Sequence, residues 1–292
     1  MDELFIIVVR GIGIGAVYSL VAVSFNVVYQ SSGILNFAQG HMLILGGVFG
    51  SMFLPPDAGV LTWLALLMAA GLSVALLMAV QGYITLLPLK SSVEQHSWLI
   101  TTLAVSVIIS ALILITKGPF ALVVRDPFPP FRAFGVETPA AYAIAPIFAV
   151  AACLGLRWFH RYTLTGLAMS AISQDLEAAK AAGIRVRHLQ IMSFAISGLV
   201  VGAGGFGAGA ILSISPSSPI NYVLNGFVAA VIGGIGSNAG ALMGGPMVGV
   251  LSMWAAYNVG GEYQNAVSLA LLVVILMARP QGLFGRVSAR QV

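Results

Sequence analysis

RWFHRYTLTGLAMSAISQDLEAAKAAGIRVRH occupies residues 157–188 and separates two long apolar blocks. It gathers Arg157, Arg161, Asp175, Glu177, Lys180, Arg185 and Arg187, seven of the chain's 22 charged residues. Residues 173–182 are rich in helix formers, and Gly183 stands where a helix would stop. The stretch predicts a short helix held in water between two membrane spans, on a basic side. That is the shape of a docking element whose energy source lies in another chain.

The composition around it fixes the class. Of 292 residues, 59% are hydrophobic and 8% charged, with a mean hydropathy of +1.00. Soluble domains carry about 25% charged residues. This chain cannot cover a water-facing surface, so it is expected to be an all-α, polytopic transmembrane bundle forming one domain over residues 1–292. The net charge of +4 sits in inter-span loops and the tail and does not point to nucleic acid. Cys153 lies alone in an apolar run, so neither an intrachain disulfide nor a metal site is expected. Asp2 and Glu3 stand where a cleavable signal peptide would be basic.

A membrane helix needs about 20 apolar residues. Uninterrupted spans are expected over residues 4–30, 60–87, 97–116, 140–159, 189–213, 240–258 and 264–278. Two further segments are broken by glycine and polar residues. The first, SSGILNFAQGHMLILGGVFGSMFL, runs from Ser31 to Leu54; the second, INYVLNGFVAAVIGGIGSNAGALMGG, runs from Ile220 to Gly245. Counting both gives nine spans, with eight spans and one re-entrant helix as the alternative. The two broken segments occupy corresponding places in the halves of the chain. Asn36 and Gln39 share one helical face, as do Asn221 and Asn225. Discontinuous membrane helices place polar groups near a solute route, so these four are the candidate pathway residues. Interhelical hydrogen bonding at a packed interface is the alternative reading.

Gly11 and Gly15, and the run Gly198, Gly202, Gly205 and Gly209, are spaced for close helix packing. GIGIG at residues 11–15 lies inside an apolar helix with no preceding strand, so it is not a nucleotide loop. Arg10 lies near one end of the first span. The proline-rich loop 117–139, with Phe120, Phe128, Phe131 and Phe134, suggests a folded cap on the membrane surface. The loop at Lys90, the arm at 157–188 and the tail hold nine of the 13 Lys and Arg, which puts that side and the C-terminus inside and the N-terminus outside.

Chemistry is absent. No GxSxG, HExxH, CxxC or phosphate-loop lysine motif occurs, which disfavours an enzyme. All nine acids fall in termini or loops, which disfavours an ion-coupled secondary transporter.

LEAAKAAGIR, Leu176 to Arg185, resembles the EAA-xxx-G loop of ABC importer permeases at Glu177, Ala178, Ala179 and Gly183. GIGIGAVYSLVAVSFNVVYQSSGILNFAQGHMLILGG, LPLKSSVEQHSWLITTLAVSVII, TGLAMSAISQDLEAAKAAGI, FVAAVIGGIGSNAGALMGGPMVG and the closing RPQGLFG are similar to the branched-chain amino acid permeases of the LivH/LivM type. The likeness runs over nearly the whole chain. One departure falls at Met169–Ser173, less charged here than in such loops. The resemblance implies an importer in the bacterial inner membrane. Its other parts would be a second, different permease chain, two cytoplasmic ATPases carrying ATP and Mg, and a periplasmic binding protein. No cofactor is expected in this chain. Asp175, Glu177, Ala178, Ala179, Lys180, Gly183, Arg185 and Arg187 would couple it to the ATPases, with the charged residues forming salt bridges and Ala178, Ala179 and Gly183 permitting close seating. Leucine, isoleucine or valine is the expected solute; related permeases take urea, short amides or aromatic acids.

Overall fold

The computed structural model describes residues 2–87, 97–133 and 136–284. Pro88, the loop at Lys90, Glu94 and His96, Phe134, and the tail arginines Arg286 and Arg290 lie outside the described residues. Eleven α-helices are described: α1 (Asp2–Ser32), α2 (Gln39–Phe53), α3 (Val60–Leu86), α4 (Ser97–Lys117), α5 (Ala141–Tyr162), α6 (Leu164–Gln174), α7 (Leu176–Ala181), α8 (Val186–Gly207), α9 (Pro219–Gly233), α10 (Asn238–Asn258) and α11 (Gln264–Ala278). A two-stranded antiparallel hairpin, β1 (Phe131–Ala133) and β2 (Val136–Thr138), lies in the loop before α5. Among the described residues, seven helices are long and apolar enough to cross a membrane: α1, α3, α4, α5, α8, α10 and α11 with the turn before it.

The two broken segments become α2 and α9, each of 15 residues. At 1.5 Å per residue each is about 22 Å long, short of the roughly 30 Å hydrocarbon core. Gly33, at φ +68°, ends α1, and non-helical residues 33–38 lead into the bundle before α2 begins. A second non-helical stretch precedes α9, anchored where Leu122 N–H donates to Ile214 O and Ser110 Oγ to Pro216 O. The first turns of the two short helices touch. Gly40 of α2 lies against Pro219 and Val223 of α9, with no room for a side chain between them.

α1 is the central post. Its middle, from Val17 to Val28, is almost wholly buried. Gly11 and Gly15 let α10 approach at Val250 and Pro246, as their spacing predicts. Asn26 Nδ2 donates to Ser237 O at 3.0 Å, and Asn26 Oδ1 accepts from Gly236 N at 2.8 Å. This clamps the turn between α9 and α10, where Gly234 and Gly236 take positive φ. After α11 the chain folds back, and Leu283 N donates to Ile232 O at 2.7 Å. α8 ends at Gly207 rather than running to Ser213. Gly198 and Gly202 face α3 and Gly205 faces α2, whereas Gly209 lies past the helix, in a short 3-10 turn against Val124. In the loop before α5, the Phe128 ring meets Trp63 edge-on at 5.4 Å, so part of the cap is seated on α3.

Candidate functional site

Of the stretch 157–188, Arg157 and Arg161 fall in the last turns of α5 and Arg187 at the start of α8, and between those helices the chain forms an arm of two helices, not one. Asp175 takes an extended conformation (φ −151°, ψ 107°) and divides α6 from α7. Its carboxylate accepts from Ala178 N at 2.9 Å, capping α7. This is the local signal that the helix-former count over 173–182 misses: an aspartate ahead of Leu-Glu-Ala-Ala reads as an N-cap. At the other end Gly183 adopts φ +79°, and two hydrogen bonds close the helix. Gly183 N donates to Lys180 O at 2.9 Å, and Ile184 N donates to Ala179 O at 3.1 Å. The six-residue α7 is thus fixed at both ends by its own sequence.

Burial divides the candidate coupling residues. Ala179 is buried, with Met169 and Ile172 of α6, against the body of the protein. Its small side chain is thus covered within this chain, which leaves Ala178 and Gly183 as the exposed ones of the three small candidates. Glu177, Ala178, Lys180, Gly183 and Arg185 are exposed. Glu177 and Lys180 pair with each other at 2.8 Å. The Arg187 guanidinium lies 5.7 Å from the Tyr83 ring centroid, tying the start of α8 to the end of α3. Between the arm and the bundle lies a cavity of about 820 Å³ lined by uncharged groups, among them Gln30, Ser170, Ser173, Gln190 and Ser237.

The candidate pathway amides are brought together in two places. Asn36 and Gln39 are fully buried. Gln81 Nε2 donates to Asn36 Oδ1 at 2.8 Å, and Asn36 Nδ2 returns a bond to Gln81 Oε1 at 3.3 Å. Gln39 Nε2 donates to Ser197 Oγ at 2.7 Å, while Gln39 Oε1 has no partner. Asn36 lies in the non-helical stretch before α2, so the helical face expected for the pair does not form. Asn36 ties that stretch to α3 and Gln39 ties the first turn of α2 to α8, the packed hydrogen bonding of the alternative reading. Asn221 and Asn225 do share a face, and the structure adds Asn265 of α11. Asn225 Nδ2 donates to Asn265 Oδ1 at 2.9 Å, and Asn265 Nδ2 donates to Asn221 Oδ1 at 2.8 Å. Gln81 and Asn265 escape a sequence reading because each is about 40 residues from its partner.

Asn36→Leu is expected to lower stability by about 1–3 kcal/mol, because Gln81 is left buried without its amide partner. The double variant Asn36→Leu, Gln81→Leu should recover part of that loss. Thermal unfolding of the detergent-purified protein checks this; a double variant no better than the single one would dissolve the pairing argument.

Seven long apolar helices, two short ones buried among them and a doubly capped arm are the parts of a transport permease. The family model for the permease component of the branched-chain amino acid transport system matches residues 7–276. The chain belongs to this permease family. The permease is 27% identical to the high-affinity branched-chain amino acid transport system permease protein LivH of Salmonella typhimurium, over 97% of this chain and 96% of that one. It is 26% identical to the corresponding protein BraD of Pseudomonas aeruginosa, with the same two coverages. A more partial likeness, 32% over 41% of this chain and 35% of the other, joins it to the fructose import permease protein FrcC of Rhizobium meliloti. No solved structure matches. The permease is thus a multi-pass membrane component of a transport system.

Proposed function

We propose that this permease is the membrane-spanning half of an ATP-driven importer that carries branched-chain amino acids across the bacterial inner membrane. The observation that carries the reading is the arm. α7 is rigid, exposed and charged, and it belongs to a chain whose relatives LivH and BraD are named as branched-chain amino acid permeases. In this reading a second permease subunit completes the pathway, two cytoplasmic ATPases seat on the arms, and a periplasmic binding protein delivers the solute. ATP and Mg belong to the ATPases.

The mechanism follows from how the arm is joined. α6 rests on the bundle through Met169 and Ile172, and α8 begins five residues after α7 ends. A push on α7 therefore passes straight into α8, and from α8 through its glycine contacts into α2 and α3. Charge bias puts the arm's end inside and the start of α1 outside. The amide clusters at Asn36/Gln39 and Asn221/Asn225 are the candidate weak-contact sites along the route once the helices move.

The test is purification of the permease from its native membrane in mild detergent, followed by reconstitution. Two ATPases and a second permease should be retained, and leucine uptake should require ATP and the binding protein. Recovery of this chain alone, with solute flux into liposomes that needs no ATPase, would overturn the reading.

A further inference from the structure

Arg10 is a cation near the start of an apolar helix, and the coupling reading gives it no task. It lies in the third turn of α1, half-buried. Arg10 Nη1 donates to Tyr257 Oη at 2.9 Å, while its Nε is buried without a partner. Among the described side chains no carboxylate lies within 4 Å of it; the ion pairs are Arg132–Glu137 and Lys180–Glu177. A charge in this setting calls for a counter-charge.

The surroundings of Arg10 are phenolic. Gly13, one turn along α1, has no side chain, and the Tyr142 ring of α5 fills that space. Tyr142 thus packs against α1 one turn from Arg10. The Tyr18 and Tyr222 ring centroids are 6.5 Å apart, and Tyr222 Oη accepts from Ser213 N at 2.9 Å. Tyr18 and Tyr222 are buried deeper in the bundle, between α1 and α9. Arg10 and Tyr257 lie at the end opposite the arm. Tyr257 is the penultimate residue of α10, and the other end of α10 lies by the clamped turn at Gly236, beside the arm cavity.

A guanidinium with an unpartnered Nε–H and a phenol hydroxyl on its Nη1 is complementary to an oxyanion, and its planar fork suits two oxygens at once. Tyrosine faces beside it accept an ammonium group or an aliphatic chain. We propose that Arg10, with Tyr142 and Tyr257, forms a carboxylate-binding site at the mouth opposite the arm, where an amino acid is held by its carboxylate on entering the permease. The site rests on the importer reading and narrows it: it favours a carboxylate-bearing solute over urea or a neutral amide. A phospholipid phosphate offers the same oxyanion chemistry, so the test separates the two sources.

Wild-type, Arg10→Gln and Arg10→Lys permeases, each assembled with its partners, are compared in phosphatidylcholine liposomes. The KM for leucine should rise about tenfold or more in Arg10→Gln, with partial recovery in Arg10→Lys. Leucinamide, which lacks the carboxylate, should compete poorly in wild type. A KM unchanged in Arg10→Gln would overturn the proposal. So would a wild type that loses leucine affinity in phosphatidylcholine and regains it only with phosphatidylglycerol, which would assign the cation to lipid. A second readout needs no transport: thermal stabilisation of the purified complex by isovalerate against isovaleramide. Stabilisation by isovalerate alone, lost in Arg10→Gln, supports the site even if leucine uptake fails and the importer reading falls; equal stabilisation of both proteins overturns it.

Discussion

Replacing Glu177 with arginine is expected to cut ATP-driven uptake by more than about tenfold while the amount of folded permease stays the same. Within the permease Glu177 does little. Its side chain is 80% exposed, and its partner is Lys180 at 2.8 Å. An exposed pair of this kind contributes about 0–1 kcal/mol, and a favourable acid in the first turn adds a few tenths. The capping bonds of α7 come from Asp175 and the backbone around Gly183, so they survive the change. In the proposed importer, what the substitution alters is the charge that α7 shows to the ATPase. The measurement is uptake per permease, together with the ATPase retained on purification. A double variant, Glu177→Lys with Lys180→Glu, restores the pair within α7 but not the pattern facing outward, so it should remain defective. Normal uptake by either variant would remove the charge role from the docking helix.

How far the arm was legible in the sequence follows from where its information lies. The end of α7 at Gly183, the breaks at residues 33–38 and 234–237, and the ends of α3, α5 and α11 are local signals, and the helices stop within a few residues of where glycine, proline (Pro88 after α3) and charge put them. The division at Asp175 was also local, but alanine-rich propensity obscured it. The orientation of Ala179 was not local, because which side of a six-residue helix faces the bundle depends on how α6 is seated. The amide clusters show the same limit. Spacing put Asn221 and Asn225 on one face; their tie to Asn265 exists only once α9 and α11 are side by side. Likewise the Arg10–Tyr257 bond joins positions at opposite ends of the chain, through an antiparallel packing of α1 and α10 that no window of sequence contains.

The largest loss of stability is expected from Gly205→Val. The glycines of α8 do different work on different faces. Gly198 and Gly202 face α3, where a side chain would meet the Cβ atoms of Met78 and Val74 and the carbonyls of Val74 and Ala70. Gly205 meets the backbone of α2: a side chain there would run into the Leu43 carbonyl, and one at Gly46 would run into the Gly202 carbonyl. Neither backbone is able to turn away without breaking helical hydrogen bonds, so even one methyl group forces α2 and α8 apart. Overpacking of this kind costs about 1–3 kcal/mol and often more, and about 3 kcal/mol corresponds to a fall of roughly 10 °C in the melting temperature of a protein this size. Uptake should fall with it, because in the proposed mechanism the motion of the arm enters the bundle through α8. Gly155→Val is the control, since nothing lies within 4 Å of the position where its side chain would begin. Gly155 is exposed on α5, so that variant should melt near wild type and be inserted normally. If Gly205→Val melts as high as Gly155→Val, α2 and α8 do not cross at backbone contact, and the route proposed for mechanical work from α7 to the short helix α2 fails with it.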